Sequence, residues 1–114
     1  MSPSPDVLRP ASVPDGKLVR DRIPEIIRAE GGRPRTSVLD DEAYRAALRD
    51  KLIEETGEFL QSGESVELAD ILEVVHALAR LNGLKPKDLE SLRLSKQAER
   101  GGFERRLFLE DSIG

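Results

Sequence analysis

The sequence predicts an all-α chain, an antiparallel helical hairpin plus flanking helices, forming a four-helix-bundle core completed by a second subunit. Three observations carry that prediction. Apolar residues recur at helical spacing through residues 48–81, with Leu48, Leu52 and Phe59 on one stripe and Val66 to Leu81 apolar around most of the circumference. Glycine and proline punctuate the chain at Gly31-Gly32, Gly83, Pro86 and Gly101-Gly102, where helices stop and start. The linker of residues 61–64 is short enough to force the two long helices into a hairpin.

Each element follows from local signals. Residues 1–16 carry Pro3, Pro5, Pro10 and Pro14 among serines and aspartates, a composition that resists helix and buries little, so they form a flexible arm. The remaining residues, 17–114, read as one helical domain. Pro24 in a first turn, Ile23, Ile26 and Ile27, and the Gly31-Gly32 stop place a short helix over residues 21–30. Pro34 keeps residues 33–39 extended. Asp40 or Asp41 caps the first long helix, which runs to about residue 60, and Ser62 or Ser65 caps the second, which stops near Asn82-Gly83. Pro86 opens a last helix that ends at Gly101-Gly102. The tail brings Leu107, Phe108 and Leu109 together as an apolar patch that packs on the body or on a neighbouring subunit. Two neighbours cannot cover a central helix that is apolar nearly all round, so a homodimer or homotetramer is expected.

Composition narrows the function. The 114 residues are 38% hydrophobic and 35% charged, with a net charge of -4, and the acids concentrate in the hairpin. That balance argues against nucleic acid or an anionic membrane as the main partner. The absence of cysteine removes zinc-thiolate sites and thiol nucleophiles and fits a cytoplasmic protein. No apolar run approaches membrane-spanning length, and the first residues lack the pattern of a signal peptide.

The chemistry lies in the acids. Glu55 and Glu58 sit roughly 60° apart on one helix, and Glu67 and Asp70 roughly 60° apart on the next, so two carboxylate pairs face each other near the closed end of the hairpin. Glu55 occupies a position that the core stripe reserves for an apolar side chain, and Asp70 lies on the buried helix. Two carboxylates about 5 Å apart repel by roughly 3 kcal/mol at an effective dielectric near 20, so cations must sit among them or some must stay protonated. Oxygen ligands without cysteine or an in-register histidine select hard cations, Mg²⁺ or Mn²⁺, which keep positions open for phosphate oxygens.

The set Glu54-Glu55-x-x-Glu58 then Glu67-x-x-Asp70 resembles the signature of the all-alpha nucleoside triphosphate pyrophosphohydrolases, the MazG-like superfamily. Lys17-Leu-Val-Arg-Asp-Arg-Ile-Pro-Glu-Ile-Ile and Lys96-x-x-Glu-Arg-Gly-Gly-Phe103 are similar to segments of its phosphoribosyl-ATP pyrophosphohydrolase-like subgroup. The likeness covers residues 17–109. It implies that Glu55, Glu58, Glu67 and Asp70 bind Mg²⁺, that Glu54 is an auxiliary ligand or the base that orients water, and that a nucleoside triphosphate is split into monophosphate and pyrophosphate in a house-cleaning role. The gap between Glu58 and Glu67 is shorter than usual in the superfamily, so the loop that discriminates substrates in some members is absent, and the base is left open.

Charge on the phosphoryl oxygens calls for further cations. Candidates are Lys17, Arg20, Lys51, and the i, i+4 pair Lys96 and Arg100 beside the Gly101-Gly102 turn. Glu73-Val-Val-His76 has the E-x-x-H spacing of di-iron bundles, but His76 is about half a turn out of phase with Glu67 and is expected as a partly buried or interface residue. Glu73 lies roughly 60° from Asp70, at the edge of the cluster. Alternatives are phosphoribosyl-ATP hydrolysis in histidine synthesis and, from another class, a helical oligomer that binds metal and nucleotide without turnover.

Overall fold

The computed structural model describes residues 16–112, which contain four helices and no strand: α1 (Ile23–Ala29), α2 (Asp41–Ser62), α3 (Ser65–Leu81) and α4 (Pro86–Arg100). The arm expected over residues 1–16 lies, apart from Gly16, outside the described residues. α1 starts two residues later than the sequence predicts, with Arg22 at its N-cap, and Glu30 lies beyond its end.

The central unit is the α2–α3 hairpin. Asp40 caps α2 by accepting a 2.8 Å hydrogen bond from the Ala43 amide, which satisfies an amide that has no partner within the helix. Gly63 ends α2 in the left-handed conformation (φ 67°), its amide bonded to the Phe59 carbonyl, and a single further residue, Glu64, separates it from α3. Neither serine caps α3 as predicted. Glu64 occupies the N-cap position without a side-chain bond, while Ser62 Oγ accepts from the Glu64 amide and holds the turn instead. The buried apolar residues of the hairpin are Ala43, Ala47 and Leu48 from α2 and Val74 and Ala79 from α3, three of the five being alanines. Alanines at the contact let two helix axes approach, and that fixes how closely the acids further along can meet.

α4 begins as the sequence predicts, with Pro86 in its first turn and the Lys85 amide donating to Asp88 Oδ2 at 2.9 Å. It packs against α3, and every described residue from Glu90 onward is exposed. In the gap between α3 and α4 lies a groove of about 270 Å³, floored by Leu72, Val75, His76, Pro86 and Leu89. The Glu90–Arg93 ion pair closes one side.

A single chain does not bury α3 as the sequence led us to expect. Val66, Leu68 and Leu72 remain 61, 48 and 52% exposed. The tail does not pack on the body either, since Phe103, Leu107, Phe108 and Leu109 are at least three-quarters exposed. No described helix is long and apolar enough to cross a membrane.

Candidate metal centre

Helix geometry decides which acids meet. Glu55 lies eight residues before Gly63 and Asp70 seven after it, so both stand roughly 10–12 Å from the turn, on opposite arms of the hairpin. Glu67 is one turn nearer the bend on α3. Oxygens of Glu55, Glu67 and Asp70 accordingly lie within 4.8 Å of one another. Two antiparallel helices thus deliver one and two carboxylates to a common point.

Burial makes this trio different from the surface acids around it. Glu55 is 9% exposed and is the one buried charged residue among those described, while Glu67 and Asp70 are half-buried. Glu58 and Glu54 lie on the exposed side of α2. Glu58 stands beside Glu55 but outside the trio, and Glu54 pairs with Lys51 at 3.4 Å. Burial pushes the Glu55 carboxyl above its ordinary value. The charge and hydrogen bonding of Glu58 raise it further, Asp70 adds to the rise, and Lys51 opposes it. The protonated form of Glu55 is therefore more favoured than for a glutamate in water, and a cation joining the group would oppose that.

Two cations of the chain already do so in part. Arg20, fifty residues away in sequence, places its guanidinium Nη2 2.7 Å from Asp70 Oδ1. The bond from the Ile23 amide to the Arg20 carbonyl, at 3.0 Å, fixes that arginine in the turn entering α1. Lys51, one turn before Glu55, reaches it at 3.7 Å. Lys17 is exposed. Among the described residues, no hydrogen bond or ion pair joins Lys96 or Arg100 to the acids, and both are exposed along α4.

The donor set suits a hard divalent ion. Around Mg²⁺, with bonds of about 2.1 Å, octahedral ligand oxygens stand roughly 3–4 Å apart. The trio's spread of within 4.8 Å is slightly wider than that. His76 is not part of the group: it faces α4 and floors the groove. Glu73, expected at the edge of the cluster, is instead exposed and paired with Arg80 at 3.9 Å, two turns along the same side of α3.

No family model matches the chain, and no solved structure matches it. An uncharacterized protein of Mycolicibacterium smegmatis is 57% identical over 42 residues, which is 37% of this chain and 43% of that protein. The chain thus spans less than half the length of the curated relative it matches, and that relative carries no activity across.

Two features were not legible in sequence. Arg20 was a candidate for phosphate, yet its partner here is Asp70, because no local pattern tells which acid a residue fifty positions away will meet. The α3–α4 groove likewise has no local signature. The apolar side of α3 away from α2 is the same in a groove as in a core, so the sequence does not separate the two.

Proposed function

We propose that the protein is a Mg²⁺-dependent nucleotide pyrophosphohydrolase that splits a nucleoside triphosphate into the monophosphate and pyrophosphate, as a cytoplasmic homo-oligomer. The observation that carries this reading is the convergence of Glu55, Glu67 and Asp70 from two helices on one point, with Glu55 buried. It is supported further by the resemblance of the acid pattern to the MazG-like superfamily. Mn²⁺ serves as a substitute for Mg²⁺.

In this reading Glu55, Glu67 and Asp70 hold the ion, with Glu58 completing the set. When bound, the ion polarises the phosphoryl oxygens and lowers the pKa of water. Glu54, exposed at the rim, orients the attacking water and accepts its proton. A bond forms from the water oxygen to the α-phosphorus while the bond to the bridging oxygen breaks, and pyrophosphate leaves with the released electron pair. Arg20 and Lys51 are the cations nearest the acids and neutralise charge on the phosphates. Lys17, Lys96 and Arg100 contribute from outside that shell.

The test is a panel of canonical and damaged nucleoside triphosphates, with phosphoribosyl-ATP alongside, read by pyrophosphate release with Mg²⁺ or Mn²⁺. Release that is abolished in Asp70→Asn and Glu55→Gln is expected, and no release from any substrate rejects the enzyme. One observation favours a second reading, a module that binds metal and nucleotide without turnover: Lys96 and Arg100 stand apart from the acids. Calorimetry showing metal-dependent nucleotide binding with no product formed would select it.

A further inference from the structure

The C-terminal segment and the α3–α4 face are each exposed apolar surfaces, one a chain of protruding side chains and the other a groove. Phe103, Leu107, Phe108 and Leu109 are 96, 76, 87 and 78% exposed. With about 200 Å² for each phenylalanine and about 180 Å² for each leucine, the four residues expose about 640 Å², most of it apolar. That lies at the top of the roughly 300–600 Å² range of the largest patch on an ordinary monomer and, with the α3–α4 face added, reaches the roughly 800 Å² that each partner contributes to a stable interface. Opposite in character is the concave face. Leu68 and Leu72 stand one turn apart on α3, both about half exposed, and Leu72 leads into the groove over Val75, His76 and Leu89. The groove measures about 270 Å³, and a cavity of about 150 Å³ is enough to hold a benzene ring.

The chain does not close this face with its own tail. The fifteen residues of α4 carry the backbone about 22 Å from Pro86, at the mouth of the groove, before the apolar segment begins. Gly101 (φ 85°) then ends the helix, and Phe103 emerges almost fully exposed.

We infer that residues 103–109 of one copy of this chain seat on the α3–α4 face of a second copy, with a phenylalanine ring in the groove against Leu72 and His76. Two-fold symmetry makes the exchange reciprocal, so one pairing covers both tails and both faces. The inference rests on the homo-oligomer reading and is independent of the metal chemistry.

The absence of cysteine allows a clean test. Differently tagged full-length chains, one Leu68→Cys and the other Leu109→Cys, are mixed, oxidised and mapped by mass spectrometry. A disulfide joining those two positions across the two tags is expected. In sedimentation, Phe103→Ser with Phe108→Ser should weaken self-association by about 30-fold or more, the scale of losing an interface anchor. All substituted residues are exposed, and circular dichroism checks that the helices persist. A wild-type chain that sediments as a monomer at micromolar concentration overturns both the oligomer and this interface. An oligomer that neither cross-links between these positions nor responds to the double substitution overturns the interface alone.

Discussion

Glu55 is the residue on which the candidate site turns, and its burial has a thermodynamic consequence. Its pKa is raised in the folded chain, first by burial and then by Glu58. The folded state therefore holds this proton more tightly than the unfolded state does. Folding is relatively favoured below the ordinary glutamate value, near 4.3, and that advantage is lost as pH rises through the elevated folded value. Glu55→Gln removes the ionised form, so in metal-free buffer it should raise the melting temperature at pH 7 and make little difference at pH 4. Thermal scans of both proteins at the two pH values check this, and a variant that melts lower at pH 7 would refute it. Arg20 acts in the opposite sense, since its guanidinium occupies an oxygen of Asp70 that an ion would use. Arg20→Gln should tighten Mn²⁺ binding several-fold, because a positive charge within ion-pair distance of the site is removed. Isothermal titration gives the answer, with unchanged or weaker affinity counting against a competing role for Arg20.

At the scale of elements, two glycines in or at the end of α2 separate backbone demand from packing. Gly63 has φ +67°, and a Cβ added there would meet nothing within 4 Å. Gly63→Ala therefore carries only the left-handed backbone penalty, about 1 kcal/mol of destabilisation. Gly57 lies inside α2 with ordinary helical backbone and open space beyond its Cα. Gly57→Ala should stabilise by about 1 kcal/mol, the difference between the two residues in a helix interior. Urea titration of the pair should show midpoints shifted in opposite directions. The boundaries of α2 and α4 were readable because Asp40, Pro86 and Gly101 act within a few residues of where they stand. The α3 cap was misplaced because a serine on either side of Glu64 offers the same local signal, and only the geometry of the turn assigns Ser62 to the bend.

For the whole molecule, an ion that binds only the folded chain stabilises it by mass action. Mg²⁺ or Mn²⁺ at about a hundred times its dissociation constant should contribute about 2.7 kcal/mol, visible as a rise in melting temperature that Asp70→Asn abolishes. The effect should grow as pH rises through the elevated Glu55 value, since a carboxylate must lose its proton to bind the ion. A melting temperature indifferent to both ions would argue against a metal centre here.

The sequence by itself determined the helical class, the order of the four described helices, the hairpin, and the level along it at which Glu55 and Asp70 face each other. Helical periodicity and turn chemistry act over a few residues, so these features are written locally. Only the tertiary structure decided that Glu55, Glu67 and Asp70 form the tight group while Glu58 and Glu54 stay exposed, that Arg20 reaches Asp70, and that α4 leaves Lys96 and Arg100 apart from the acids. Those outcomes depend on how closely small side chains let α2 and α3 approach, and on contacts between residues far apart in the chain, which no window of sequence encodes.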